Sequence, residues 1–171
     1  GHQPQSTLVV GAGYIATELA GVLNSLGTEV TMLLRKKTLL KEFDATLGET
    51  LMTEMRAAGI KILTEVRLQE IRTEPDGTLS ILHDADQTTN GFDSVLWAIG
   101  RKPLTADLNL DHAGVQVDTK GFIPTDKYQC TNVDGVCAVG DVTGRQALTP
   151  VAIAAGRRLA DRLYGGQADA H

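Results

Sequence analysis

Residues 7–16 read TLVVGAGYIA, an apolar run that passes through two glycines into a second apolar stretch. The β-branched run 7–10 predicts a strand. Apolar residues at spacings of three and four predict a helix over 14–26, which Gly27 ends in the manner of a left-handed cap. The face expected to be buried consists of Ile15, Leu19, Val22, Leu23 and Leu26.

The turn between this strand and this helix has the pattern GxGxxA. Gly11 permits the tight turn, Gly13 lets the backbone approach a pyrophosphate, and Ala16 allows close packing of helix on strand. The free amides at the start of the helix favour an anion. Because the pattern lies between its expected strand and helix, it predicts a dinucleotide-binding turn over a glycine turn of some other α/β domain.

Strand-like and helical runs alternate after this turn. A strand is predicted over 29–34, a helix capped by Asp44 to about Ala58, and a third strand over 60–63. The expected core face of the second helix consists of Leu47, Leu51 and Met55. This alternation predicts a parallel sheet with right-handed crossovers, and therefore an α/β, Rossmann-like fold.

The middle of the chain predicts an antiparallel insertion into that fold. Strands are expected over 66–73, 79–83 and 92–98, with a tight turn at 75–77. The nearly continuous apolar stretch 94–99 indicates a strand buried on both faces.

A boundary near Pro103 divides the sequence into predicted domains at 1–103 and 104–171. A further buried strand is predicted over 135–139, ending in Gly140 and Asp141, and a last helix over 151–164. A carboxylate at a strand end can bond a sugar-like hydroxyl, although an ordinary strand-end turn is the alternative.

A basic turn follows the second strand and indicates the nucleotide. An NAD site usually has an acid at the end of this strand, but Leu34 stands there. Arg35, Lys36 and, later, Lys41 would instead meet the 2′-phosphate of NADP, with Arg35 able to bond it bidentately. A solvated surface turn is the alternative interpretation.

Composition excludes several classes of function. Acidic residues outnumber basic ones 21 to 16 among 171 residues, which disfavours binding to nucleic acid. No apolar run approaches the roughly 18 residues of a membrane span. Cys130 and Cys137 cannot make a disulfide framework, so they are expected to be structural in a reducing, cytoplasmic setting. The four histidines are scattered, and no metal is predicted.

Three stretches together carry a family resemblance: GAGYIATELAGVLNSLG, WAIGRKP and CTNVDGVCAVGDVTGRQALTPVAIAAGRRLADRLY. They resemble the glutathione reductases of the pyridine nucleotide-disulfide oxidoreductase family over nearly the whole chain. The resemblance implies NADPH and FAD as cofactors, glutathione disulfide as substrate, and a homodimer of the full-length enzyme. The implied domains are an NADPH-binding domain, 1–103, and part of the central, FAD-proximal domain, 104–171.

The resemblance also implies roles for individual residues. Tyr14 would cover the flavin ring, Glu18 would pair with a flavin-site lysine, and Arg35 would bind the 2′-phosphate. Lys41 replaces a second arginine that is common there in bacterial members of the family. Together with the motifs above, the implied cofactor contacts are Gly11, Gly13, Tyr14, Ile15, Ala16, Glu18, Arg35, Lys36, Lys41, Gly100, Arg101, Gly140, Asp141, Leu148 and Thr149.

On the flavin side, Asp141 would bind the ribityl chain, and Leu148 and Thr149 would start a helix beneath the pyrimidine ring. The loop at Gly100 and Arg101 would pass near the nicotinamide.

The family's redox CxxxxC and its His-Glu pair match nothing in the sequence, so the chain is expected to be a portion of a longer enzyme with no catalytic residues of its own. Two alternatives stay open. One is a sibling reductase of trypanothione, mercuric or lipoamide type, and the other is a nucleotide-binding module without turnover.

Overall fold

A computed structural model describes residues 2–84 and 87–171 of the chain. It divides the chain into two compact units, residues 1–100 and 101–171. The sequence analysis placed a boundary near Pro103, and the assignment of 1–103 and 104–171 as functional domains stays a prediction.

The elements of the first unit are β1 (Ser6–Val10), α1 (Tyr14–Ser25), β2 (Glu29–Leu33), α2 (Ala45–Ala57), β3 (Lys61–Leu63), β4 (Leu68–Thr73), β5 (Leu79–His83), β6 (Gln87–Phe92) and β7 (Ser94–Trp97). Four of these strands form a parallel sheet in the order β3-β2-β1-β7, and three form an antiparallel sheet in the order β4-β5-β6. The predicted α/β class, with a parallel sheet and an antiparallel insertion, is confirmed.

Helix α1 packs on the sheet through small residues. Ala16 and Ala20 are fully buried, with Leu23 packed beside them, whereas Leu19, Val22 and Leu26 are exposed. The helix predicted over 14–26 is confirmed and Leu23 packs against the core, but the expected burial of Leu19, Val22 and Leu26 is wrong. The two alanines let the helix backbone approach the strands closely, which turns the larger side chains away from the sheet.

Helix α2 begins as predicted at Asp44, whose Oδ1 accepts a hydrogen bond from the Thr46 amide at 2.9 Å. Its buried residues are Gly48, Met52 and Met55, while Leu47 is half exposed. Met55 is thus buried as predicted and Leu51 packs against the core, but the buried side of the helix also includes Gly48 and Met52, which the sequence analysis missed.

The strand predicted over 92–98 is two strands in the structure. Phe92 ends β6, a polar and largely exposed strand that the sequence analysis missed, and β7 pairs in parallel with β1. β7 is the end strand of its sheet, and Trp97 and Ile99 are 52% and 58% exposed. The prediction that residues 94–99 form a strand buried on both faces is therefore wrong.

The second unit contains helix α3 (Thr149–Tyr164) and short 3-10 helices at Ala106–Leu108 and Gly140–Thr143. Its small core is formed by Val115, Ile123 and Ala138. The strand predicted over 135–139 is wrong: this segment forms an isolated antiparallel bridge at Cys137 with Cys130. Among the described helices, none is long and apolar enough to cross a membrane.

Gly48 provides a test of the close packing of α2. A Cβ at this position would stand 2.7 Å from the Leu39 carbonyl oxygen, which is backbone and cannot move aside easily. We expect Gly48→Ala to lower the free energy of unfolding by about 1–3 kcal/mol. Gly21→Ala is the matched control, because a Cβ at Gly21 in α1 would meet no atom within 4 Å.

The control should be neutral or stabilise the chain by about 0.5–1 kcal/mol, as alanine does in a helix interior. Chemical denaturation of both variants checks this. Equal effects of the two substitutions would contradict the proposed contact between α2 and Leu39.

Candidate cofactor-binding sites

Gly11 lies where three parallel strands end together. Its amide donates to the Leu33 carbonyl at the end of β2 at 3.1 Å, and the Ala98 amide donates to the Val10 carbonyl at 2.9 Å. Gly11 has a φ of 144°, and a Cβ there would overlap the Ala98 carbonyl oxygen. Both the backbone conformation and the space therefore require glycine, as the fingerprint predicted.

Gly13 is glycine for a different reason. It precedes α1 with a φ of −84°, and a Cβ there would have no neighbouring atom within 4 Å among the described residues. Its carbonyl accepts hydrogen bonds from the amide and hydroxyl of Thr17 at 3.1 and 3.0 Å, which hold the first turn of the helix. The open space beside this helix start fits a pyrophosphate, which needs close approach to the backbone at the amino end of a helix.

Some of the other predicted residues near this loop are buried and others lie at the surface. Ala16 is fully buried, and its Cβ lies 3.3 Å from the position a Cβ on Gly11 would take. Tyr14 and Ile15 are half-buried at the start of α1, and Glu18 is exposed on the same helix. Gly100 has a φ of 139° and follows β7, two residues after Ala98.

The basic turn leaves the sheet at the same edge. Leu34 is fully buried, and its amide donates to the Leu63 carbonyl at 2.9 Å. Arg35, Lys36 and Lys37, which follow it, are all exposed. A buried leucine thus occupies the place of the ribose-binding acid, and positive side chains follow it directly.

A backbone hydrogen bond ties this basic turn to the glycine loop. The Leu40 amide donates to the Ala12 carbonyl at 2.8 Å, and the Leu39 side chain is buried in the core. Leu40 has a φ of 51°, an unusual conformation for leucine, so no sequence signal pointed to this contact. The bond fixes the loop of residues 35–41 beside the predicted pyrophosphate position.

Lys41 has a partner that the sequence analysis missed. Its Nζ lies 2.9 Å from Glu42 Oε1. Both side chains are largely exposed, at 67% for Lys41 and 77% for Glu42. An exposed pair of this kind contributes little to stability. The pair would instead weaken the attraction between Lys41 and a phosphate, because the Glu42 carboxylate offsets the Lys41 charge.

In the second unit, Arg101 and Asp141 form an ion pair, and Arg101 Nη2 also donates to the Ala147 carbonyl at 3.3 Å. The two residues were predicted from separate motifs, one for nicotinamide and one for flavin, and their pairing was missed. Forty positions separate them in the chain, so only the fold could bring them together. Both side chains stay about half exposed.

The start of α3 lies against this pair. Gly140 has a φ of 76°, and a Cβ there would stand 3.4 Å from the Ala152 Cβ on α3. Leu148 precedes the helix, and its carbonyl accepts from the Ala152 amide at 3.0 Å. Thr149 begins the helix, so the positive end of its dipole lies near Asp141.

Within residues 2–84 and 87–171, no group of three His, Cys, Asp or Glu side chains is placed to hold a metal ion.

Comparison with known proteins is consistent with this geometry. The sequence matches the pyridine nucleotide-disulphide oxidoreductase family over residues 1–156. The chain belongs to this family. Membership implies FAD and NADPH as cofactors, which is what the motifs and the resemblance indicated.

Two curated relatives named glutathione reductase are similar over almost the whole chain. The one from Schizosaccharomyces pombe is 47% identical over 170 residues, covering 99% of this chain and 36% of the relative. The one from Yarrowia lipolytica is 39% identical over 165 residues, covering 95% of this chain and 35% of the relative. The chain therefore spans about a third of the length of these relatives.

Solved structures of a flavoprotein disulfide reductase have the same fold. The HOCl-induced reductase RclA from Escherichia coli superposes with a TM-score of 0.86 at 29% identity, covering 96% of this chain and 37% of that one. Its Cu(II) complex gives a TM-score of 0.85 at 28% identity, covering 95% and 36%. The predicted family resemblance is confirmed.

The two fingerprint glycines should respond differently to alanine. Gly11→Ala should lower the free energy of unfolding by at least about 2 kcal/mol, because the side chain meets backbone and the φ is strained. Gly13→Ala should change it by no more than about 0.5 kcal/mol, since the new methyl group has open space. Thermal and denaturant unfolding of both variants, without nucleotide, checks this contrast. A large loss in Gly13→Ala would show that Gly13 serves packing.

Proposed function

We propose that this chain provides the NADPH-binding part, and a portion of the flavin-binding part, of an enzyme that reduces glutathione disulfide. When bound, NADPH and FAD together supply the hydride and electron transfer that such a reduction needs. The residues of this chain hold and orient the cofactors.

The hydrogen bond from the Leu40 amide to the Ala12 carbonyl carries this proposal. It holds the glycine loop and the basic turn side by side, which supports their use as a single binding surface. One end offers open space and helix amides for a pyrophosphate, and the other offers Arg35 and Lys36 for a second phosphate. The 2′-phosphate distinguishes NADPH from NADH, and the buried Leu34 in place of an acid supports the same choice.

The flavin-side residues are proposed from the second unit. The Asp141 carboxylate can accept a hydroxyl hydrogen bond from a ribityl chain while Arg101 holds the side chain in place. The amino terminus of α3, at Leu148 and Thr149, would stabilise negative charge on a reduced ring. Tyr14 as a cover of the flavin ring and Glu18 as the partner of a lysine are further proposals from the family resemblance.

Glutathione disulfide is the proposed substrate because the two curated relatives described above carry the name glutathione reductase at 47% and 39% identity. A sibling disulfide reductase would share the fold and the cofactors. A homodimer and a cytoplasmic location are proposed with the enzyme and stay predictions.

Arg35→Ala tests the proposed 2′-phosphate contact. Charge-assisted hydrogen bonds contribute on the order of 1.5–3 kcal/mol, so Arg35→Ala should weaken NADPH binding roughly 10- to 100-fold. NADH, which lacks the 2′-phosphate, should bind almost unchanged. Lys41→Ala should cost less, because an ammonium is a point charge and Glu42 already pairs with it. Titration calorimetry with both nucleotides measures these changes.

Lys61→Ala is the charge control for this experiment. Lys61 starts β3 opposite Thr31 and lines a groove with Gly27 and Glu29 at the amino end of β2, whereas the candidate site lies at the carboxyl ends of the strands. The Lys61→Ala substitution removes one positive charge away from the candidate site, so the affinity for NADPH should stay within about twofold of that of the unmodified chain at 0.15 M salt. If Arg35→Ala lowered the affinities for NADPH and NADH equally, Arg35 would support the fold and would not bind the phosphate.

A further prediction concerns turnover by the 171-residue chain. Its two cysteines are separated by six residues and do not match the CxxxxC of the family. The chain should therefore bind NADPH without oxidising it when FAD and glutathione disulfide are added, as followed by nicotinamide absorbance. Steady oxidation of NADPH that depends on glutathione disulfide would contradict the expectation that this chain holds no redox-active cysteine pair for that reaction.

A further inference from the structure

The second unit brings its two cysteines face to face. Cys130 and Cys137 pair across an antiparallel bridge, flanked by hydrogen bonds from Thr131 N to Val136 O and from Ala138 N to Gln129 O, both 3.0 Å. This arrangement is the non-hydrogen-bonded type of pair, in which the Cα atoms are about 4.5 Å apart and the side chains share one face. Such a separation lies within the range that a disulfide spans, about 4.4–6.8 Å.

The backbone on both sides of the pair is held by other contacts. Asp126 Oδ1 accepts from the Cys130 amide at 2.8 Å, and the Cys130 carbonyl accepts from the Asp126 amide at 3.0 Å. On the other side, the Thr131 hydroxyl donates to the Val136 carbonyl at 2.9 Å. The two cysteines are thus positioned without any covalent link, and joining them requires little further ordering of the chain.

The surroundings of the two sulfurs differ. Both cysteines are unpaired thiols with partly exposed side chains. The Arg162 guanidinium on α3 donates to Cys130 Sγ at 3.7 Å. Burial, and next a hydrogen bond with the Cys130 side chain, raise the pKa of the Cys137 thiol, and the nearby Arg162 guanidinium offsets part of this rise. Cys137 therefore stays protonated at neutral pH, and Cys130, whose sulfur accepts the Arg162 hydrogen bond, is the sulfur placed to react first.

We propose that Cys130 and Cys137 are a reversible dithiol–disulfide pair that exchanges with low-molecular-weight disulfides. The Cys130 thiolate attacks one sulfur of the small disulfide, forming a mixed disulfide and releasing one thiolate. Cys137 then loses its proton to solvent and attacks the Cys130 sulfur, which releases the second thiolate. Two protein thiols are oxidised to one disulfide, and the small disulfide is reduced to two thiols.

The bond would close the loop 130–137, which leads directly into the buried Ala138 and then into Gly140 and Asp141. Oxidation would therefore stiffen the segment that carries the candidate flavin-side carboxylate. This inference goes beyond the proposed function, because neither thiol takes part in the nucleotide site or in the disulfide reduction proposed above.

The test uses the 171-residue chain without nucleotide or flavin. The chain is equilibrated with glutathione disulfide, quenched in acid, alkylated and mapped by mass spectrometry of its peptides. We expect most molecules to carry a Cys130–Cys137 link. Closure of this short loop should also raise the melting temperature by about 5–10 °C over the reduced chain, and dithiothreitol should reverse the rise.

Single substitutions test the order of the two steps. Cys137→Ser should stop at a mixed disulfide with glutathione on Cys130, and Cys130→Ser should react at Cys137 roughly tenfold more slowly. Circular dichroism checks the fold of each variant, and the link in the unmodified chain decides the proposal if a variant misfolds. Two thiols that stay alkylatable, two glutathione adducts on one chain, or links between chains would each overturn it.

Discussion

The close approach of three backbone segments at Gly11 is the constraint on which the first unit depends. The carbonyl of Ala98 occupies the space that a side chain at this position would need, and the Leu33 carbonyl accepts the Gly11 amide. The carboxyl ends of β2, β1 and β7 can converge there because residue 11 has no Cβ. Helix α1 then starts at Tyr14, directly after the glycine loop, and a helix amino terminus of this kind favours an anion.

Small residues extend this principle to both helices of the first unit. Ala16 and Ala20 in α1 and Gly48 in α2 face the core, so each helix lies close to the strands or to the Leu39 backbone. Close packing gains many weak dispersion contacts and leaves little room for adjustment. The basic turn gains its position from the same packing, because Leu34 and Leu39 are buried on either side of the exposed cations.

The second unit is stabilised in a different way. It has a small apolar core, and its loops are held by side chains that accept backbone hydrogen bonds, as Asp118 does from Lys120 and Phe122 at 2.8 and 2.9 Å. Such contacts fix individual residues without building a sheet. The Arg101–Asp141 pair and the Cys130–Cys137 bridge both depend on this loop framework.

The sequence by itself determined the alternation of strands and helices, the glycine turn, the Asp44 cap and the basic cluster at Arg35, because these follow from local propensity and residue chemistry. It did not determine which helix face is buried, since small residues can face a sheet as well as leucines can. The exposed strand β6, the edge position of β7 and the pairs Ala12–Leu40 and Arg101–Asp141 were decided by tertiary structure alone. The Ala12–Leu40 and Arg101–Asp141 contacts join residues that are 28 and 40 positions apart, and no local sequence pattern encodes such an approach. The Cys130–Cys137 pair is closed by a local turn at Asp134 and Gly135, whose signal the sequence analysis did not use.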